Sequence, residues 1–167
     1  MPNYPVTTSA RDGVTGTHPD TTATLLRAEE NNSSGVHNLV FADIDTSAIG
    51  TDTITAATLY WYHDSYTKTK AATFSRNVLV GGVNIFNSSA TPAAAGWHSE
   101  ALTGGELVNI NKTGDTAIEF SVDDPGSTYF RLWTIRAWDY DSGASACYLA
   151  ITHAAAGGPT KMTIVRA

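Results

Sequence analysis

Cysteine, charged residues and long apolar runs are all scarce in this chain of 167 residues. Cys147 is the only cysteine, so no intramolecular disulfide can form, and its place in the alternating stretch CYLAITH predicts a buried, inert thiol. No run approaches the roughly 20 apolar residues of a membrane helix, and the polar N-terminus lacks the apolar core of a secretory signal. We therefore expect no membrane partner. The chain is made and used in the cytosol, has lost a signal, or leaves the cell by lysis.

Low charge also limits the partners. Only 16% of the residues are charged, where about 25% is usual, and the net charge is −6. Binding to nucleic acid requires clustered Lys and Arg, whereas the ten basic residues here are scattered. The two basic residues closest in sequence, Lys68 and Lys70, are too few to line a groove. The composition therefore predicts no nucleic-acid partner.

Short apolar runs separated by turn signals fill the chain from residue 21 onwards. Thr is abundant and favours strands, and few windows show the spacing of an amphipathic helix. We predict one all-β domain over 21–167, an antiparallel β-sandwich of jelly-roll type. Residues 1–20, punctuated by Pro and Gly, are predicted to form an extended N-terminal arm. The predicted strands are 22–28, 37–44, 54–63, 73–80, 82–86, 106–110, 116–122, 129–138, 147–153 and 161–166, and 88–102 is predicted to hold at most a helical turn.

Alternation within these strands assigns side chains to faces. In 57–63 the residues Leu59 and Trp61 share one face with Ala57, while Tyr60 and Tyr62 share the other. The predicted core consists of Ala57, Leu59, Trp61, Ile118, Phe120, Val122, Trp133, Ile135, Cys147, Leu149 and Ile151. His63 and His153 are predicted to end strands.

Two segments resemble a known family. The stretch ADIDTSAIGTDTITAATLYWY (42–62) is similar to the recurring pattern of DNRLRE-type domains, in which an Asp between hydrophobic residues precedes a turn and then Ile-Thr-x-Ala-x-Leu. The stretch IRAWDYDSGASACYLAITH (135–153) resembles the closing strand of that family, and the likeness spans about 37–154. These domains are jelly rolls similar to carbohydrate-binding modules and occur in bacterial surface proteins and phage particles.

The resemblance implies a non-enzymatic structural protein. The specific expectation is a capsid decoration protein of a bacteriophage virion, which would stabilise the head by binding the major capsid protein or another virion protein. Such a protein would be made in the host cytoplasm without a signal peptide and would form a homo-oligomer, a trimer being one option. The alternative is a carbohydrate-binding module that recognises a glycan through exposed Tyr and Trp.

Chemical motifs are few. No HxH or HExxH pairing occurs, and GASAC (143–147) is not a nucleophile elbow, so we predict no catalytic residue and no cofactor. Asp139 and Asp141 with Gly143 form half of a calcium loop, which makes the two carboxylates candidate ligands of a structural calcium. The stronger functional lead is aromatic: Tyr60, Tyr62, Trp138 and Tyr140 form the predicted binding surface.

Overall fold

The computed structural model describes residues 11–14, 25–31, 36–68, 75–90, 94–123, 130–136, 140, 142 and 144–166. Most of these residues lie in strands, and no α-helix occurs in the described ranges. No helix among them is long and apolar enough to cross a membrane. The strands are β1 (Arg11–Val14), β2 (Leu25–Asn31), β3 (Val36–Asp45), β4 (Thr53–Lys68), β5 (Arg76–Val80), β6 (Val83–Ser88), β7 (Gly96–Leu102), β8 (Asp115–Val122), β9 (Phe130–Arg136), β10 (Tyr148–Ala154) and β11 (Lys161–Arg166).

The strands form two antiparallel sheets packed against each other. Hydrogen bonds connect them in the order β11-β10-β4-β9-β2-β3-β8-β5-β6, with β7 paired to β4 and β1 paired to β3. The prediction of an all-β antiparallel sandwich is therefore confirmed, whereas the jelly-roll connectivity stays a prediction.

Strand β4 belongs to both sheets. Its first part pairs with β10 on one side and β7 on the other, and its last residues pair with β9. The register shifts between His63 and Ser65, where the strand changes partners. Such a bulge bends a strand and increases its twist, which allows one long strand to pass from sheet to sheet.

The core between the sheets confirms the alternation of the sequence. All eleven predicted core residues are buried, and Leu59, Trp133 and Leu149 are fully so. The ring of Phe120 lies between the two sheets, because its centroid is 6.2 Å from that of Trp61 and 5.6 Å from that of Trp133. Cys147 is buried, and burial raises the pKa of its thiol.

Two predicted elements are wrong, and so is the prediction that His63 ends a strand, because β4 continues to Lys68. Residues 106–110 are not a strand but contain a 3-10 turn, Leu107–Asn109, which leaves Val108 80% exposed. The turn begins because Thr103 and Glu106 bond to each other: the backbone N–H of Thr103 donates to Oε2 of Glu106, and that of Glu106 donates to the carbonyl oxygen of Thr103. The region 88–102, predicted as a helical turn at most, contains strand β7.

The N-terminal segment is described only at Arg11–Val14. These four residues pair with β3 of the same chain, with Arg11 opposite Phe41 and Val14 opposite Asn38. The other residues of the predicted arm, 1–10 and 15–20, lie outside the described residues. An extended arm over 1–20 stays a prediction.

Candidate functional site

Aromatic side chains gather on the outer surface of the sheet built around β4. Tyr60 and Tyr62 point outwards because the intervening Trp61 belongs to the core. In the antiparallel register, Tyr148 of β10 is directly opposite Tyr60, and Trp97 of β7 is directly opposite Tyr62. Directly paired residues place their side chains on the same face, so three strands contribute to one aromatic surface.

The four rings are in contact. Tyr60 and Tyr148 stack with their centroids 4.6 Å apart and their planes within 8°. Trp97 meets Tyr148 at 5.6 Å and 72°, and Tyr62 at 5.5 Å and 80°. Trp97 is 46% exposed, so the cluster reaches solvent instead of closing a second core.

An arginine extends this surface. The guanidinium of Arg136, at the end of β9, lies 4.0 Å from the ring centroid of Tyr62 and 4.1 Å from that of Tyr140. Its Nε donates to Oδ1 of Asp64 at 3.0 Å, and Nη1 donates to Oγ of Ser145 at 3.4 Å. The ion pair and the two rings hold the guanidinium in place. We call Tyr60, Tyr62, Trp97, Arg136, Tyr140 and Tyr148 the aromatic face.

Uncharged residues continue the same outer surface along the strands, and we call them the uncharged floor. Thr58 of β4 lies between Ala101 of β7 and Ala150 of β10, and Ile164 of β11 is opposite Ala150. The next outward positions are Ala56, Thr152 and Met162, and the side chain of Met162 is exposed. None of these positions carries a charge. An uncharged floor beside an aromatic face gives a flat surface that costs little to desolvate.

The structure brings together three of the four predicted surface residues. Tyr62 and Tyr140 both contact the guanidinium of Arg136, and Tyr60 is the second residue before Tyr62 on the same strand. Trp138 lies outside the described residues, so its part in the surface stays a prediction.

Sequence reasoning missed Arg136 and Tyr148 and did not select Trp97. The outward position of Tyr148 could have been read from the alternation of CYLAITH, in which Cys147 and Leu149 point inwards. Its stacking on Tyr60 depends on which strands pair, and that information is not local.

The predicted calcium ligands Asp139 and Asp141 also lie outside the described residues. Within the described ranges, no group of three His, Cys, Asp or Glu side chains is placed to hold a metal ion. The calcium site therefore stays a prediction.

A hydroxyl, an imidazole and a carboxylate line up at the other end of β10. Nδ1 of His153 is 2.8 Å from Oδ2 of Asp52, and its Nε2 is 2.8 Å from Oγ1 of Thr163. Hydrolases use this order of groups to activate a nucleophile. The hydrogen bond from His153 and the nearby charge of Lys161 lower the pKa of Asp52.

Substrate access distinguishes a catalytic triad from a structural one. His153 is buried, and a cavity of about 320 Å³ opens nearby beside Thr53 and Ile54. Neither Asp52, His153 nor Thr163 lines that cavity. The three side chains join the start of β4 to β10 and β11. Their geometry therefore supports a structural role, and we call the group the strand clamp.

No family model matches this chain, and no match was found among the curated proteins or the solved structures.

Proposed function

We propose that this protein is a non-enzymatic docking protein that attaches to another protein through its aromatic face. The observation that supports this is the mutual packing of the rings with Arg136. Tyr60 and Tyr148 cover each other, and Arg136 covers one face of Tyr62. Tyr, Trp and Arg dominate the energetic centres of protein interfaces.

The orientation of the rings favours a protein over a sugar as the partner. A sugar ring stacks on an open aromatic platform, and several coplanar rings bind an extended glycan. Here Trp97 stands at 72° and 80° to its two neighbours, so the rings form a ridged surface and not a level one. Ridges and a flat, uncharged floor fit a complementary protein surface.

The specific partner that we propose is the major capsid protein of a phage virion, which makes this chain a capsid decoration protein. The support is the resemblance of 42–62 and 135–153 to domains found in phage particles. A rigid sandwich that docks through one outer face would add contacts between capsid subunits and resist outward pressure. Docking as a symmetric homo-oligomer, such as a trimer, would multiply those contacts.

A capsid-binding experiment tests this proposal. Empty capsids assembled from the major capsid protein of the same genome are mixed with the purified chain, sedimented and melted. We expect co-sedimentation and a higher melting temperature of the capsids. Capsids that neither bind the chain nor gain heat stability would contradict the capsid assignment.

The substitution Trp97→Ala tests the aromatic face itself. Loss of an exposed interface Trp typically weakens binding about tenfold or more. Val108→Ala is the matched control, because Val108 is the most exposed large hydrophobic residue described and lies away from the aromatic face. Unfolding curves of both variants check that the fold is intact. Equal capsid affinity of the two variants would show that docking uses another surface.

Glycan binding is the second candidate, and the exposure of Trp97 is the observation that favours it. A glycan array and tryptophan fluorescence titrations with polysaccharides measure it directly. Binding of a polysaccharide that Trp97→Ala abolishes, together with no binding to capsids, would replace the docking proposal with a carbohydrate-binding one.

A further inference from the structure

A second feature lies inside the sandwich, behind the two strands that form one of its open sides. Among the described residues, β6 pairs only with β5, and β7 pairs only with β4. The two edge strands approach each other without pairing. Phe86 of β6 and His98 of β7 both contact Trp61, with ring centroids 5.4 and 5.8 Å away. Both side chains are half-buried, so the interior behind them lies close to solvent.

Arg76 is buried in this interior. It begins β5 and points inwards with Val78 and Val80, leaving only 3% of the residue exposed. Three rings surround its guanidinium carbon: Trp133 at 5.3 Å, Phe86 at 5.7 Å and Tyr66 at 5.9 Å from the ring centroids.

Among the described residues, the guanidinium has no anionic partner. Nη2 donates to the carbonyl oxygen of Ala90 at 2.9 Å, whereas Nη1 is buried without any hydrogen-bond partner. In the described part of the chain, no carboxylate forms a salt bridge with Arg76. Cation–π contacts offset part of the cost of burying a charge, but they do not satisfy an N–H donor.

One other buried donor of this interior lacks an acceptor among the described residues. Nε1 of Trp61 is buried without a partner, and its ring contacts Phe86 as Arg76 does. Nε1 of Trp133 donates to Nδ1 of His63 at 3.1 Å, which leaves the proton of the neutral imidazole on Nε2. Burial, with the nearby His98 and Arg76, lowers the pKa of His63 to about 4, so the imidazole is neutral at pH 7.

The cluster thus combines the guanidinium of Arg76, two buried N–H donors without an acceptor on Arg76 and Trp61, and aromatic walls. A second buried guanidinium, that of Arg131, lies close enough to act with Arg76 on the pKa of Tyr66. Buried charges in proteins are normally paired, and a buried donor without an acceptor calls for a partner such as a water, an ion or a ligand. Arg recognises planar oxyanions through parallel N–H bonds. A carboxylate fits better than phosphate or sulfate, because it is planar like the apolar ring walls and because a protein of net charge −6 disfavours a doubly charged anion.

We propose that Arg76 binds a carboxylate that enters between β6 and β7. The carboxylate belongs to a small organic acid or to the end of a peptide from a partner protein; the chemistry at Arg76 is the same for both. The site is separate from the aromatic face, and its existence does not depend on the docking function.

Unfolding in the presence of carboxylates tests this site. Urea or thermal unfolding of the full chain is measured with increasing sodium formate or acetate at constant ionic strength, with sulfate in a parallel series. A ligand of the folded state raises stability in proportion to the logarithm of its concentration once it exceeds Kd. We expect such a rise with formate and acetate and a smaller one with sulfate. Equal effects of all three anions, or none, would overturn the proposal.

Variants locate the binding group. Arg76→Met should abolish the formate response, and Arg76→Lys should weaken formate affinity about tenfold, because an ammonium cannot form the parallel pair of bonds. Lys161→Met, which removes an exposed positive charge elsewhere, should respond like the wild type. A formate response that persists in Arg76→Met would contradict the assignment to Arg76.

A measurement on the wild-type chain avoids any dependence on variant folding. The indole N–H signals of Trp61 and Trp133 should shift and saturate as formate is added, whereas that of Trp97, on the outer surface, should not. No shift at either buried indole would overturn the proposal. The two sources are separated with a short peptide and its C-terminally amidated form: binding of the free acid alone identifies a peptide terminus, and binding of formate without either peptide identifies a small acid.

Discussion

At the scale of single residues, His63 lies in an unusual position for an imidazole. It is 2% exposed, accepts a hydrogen bond from Trp133, and lies where β4 changes partners. Burial is the largest reason why its pKa falls from 6.5 to about 4. The unfolded chain therefore binds a proton between these pH values that the folded chain does not, so stability falls as the pH falls from 6.5 to 4.

Replacing His63 should remove this pH dependence. We expect wild-type protein to lose about 3 kcal/mol of unfolding free energy through this group between pH 6.5 and pH 4. His63→Gln keeps an acceptor for the indole N–H of Trp133 but cannot titrate, so its stability should vary less over this range. Urea unfolding at several pH values measures the difference.

His98→Gln serves as the comparison for that experiment. Burial also lowers the pKa of His98, but this residue is only half-buried. Its replacement should leave most of the slope in place. If the slopes of wild type and His63→Gln coincide, the folded protein accommodates a charged His63 and the assigned cause of its low pKa is wrong.

Local alternation was enough to predict the burial of single residues but not their neighbours. The inward positions of Leu59 and Trp61 and the outward positions of Tyr60 and Tyr62 follow from a two-residue period. Tyr60 stacks on Tyr148, which is 88 residues later in the chain (148 minus 60). This contact depends on which strands pair. A single sequence contains no direct signal for that pairing, so half of the aromatic face was found only in three dimensions.

At the scale of elements, the 3-10 turn Leu107–Asn109 shows why a strand prediction failed. The letters ELVNI favour a strand, but Glu106 bonds to Thr103 and makes the chain turn. The turn then packs against the hairpin between β5 and β6. A Cβ atom on Gly81 would lie 2.4 Å from the backbone oxygen of Asn109. The residue at 81 is thus restricted by an element that the sequence did not reveal.

Two adjacent glycines allow a matched test of this contact. Gly81 and Gly82 both have positive φ, at +55° and +84°, so alanine strains the backbone at either site. Only Gly81 faces Asn109, whereas a Cβ on Gly82 meets open space. We expect Gly81→Ala to be less stable than Gly82→Ala by about 1–3 kcal/mol in urea unfolding. Equal losses would mean that the turn moves aside at no cost.

The strand clamp of Asp52, His153 and Thr163 is a second contact that joins separate elements. Its carboxylate has a lowered pKa, so its contribution is present above the usual value of 3.8 and is lost as the pH falls through the lower folded value. Asp52→Asn should therefore lower the urea midpoint at pH 7, because the ordered bond to His153 weakens. At a pH below the folded pKa of Asp52, variant and wild type should converge. A constant difference at both pH values would show that charge is not the cause.

At the scale of the whole molecule, charge is absent from one part of the outer surface. The protein has a net charge of −6, yet the uncharged floor contains no charged side chain. Arg136 of the aromatic face is paired with Asp64, and Arg166 stands opposite Tyr148 in the strand register. Both the deficit of charge and the abundance of Thr were visible in the sequence and pointed correctly to a sheet protein. The sequence did not show that uncharged residues gather on one outer surface. That arrangement follows from the strand order β11-β10-β4 together with the pairing of β7 to β4.

This uncharged surface predicts how docking responds to salt. Charge-driven complexes lose affinity steeply as salt screens their charges, whereas burial of an uncharged surface is insensitive to screening or is strengthened by excluded salts. If the aromatic face and floor form the interface, Kd for capsids should change less than about threefold between about 50 mM and about 500 mM sodium chloride. Sedimentation or surface plasmon resonance at several salt concentrations measures this. A steep loss of affinity would place the interface on charged parts of the surface and contradict docking through the aromatic face and floor.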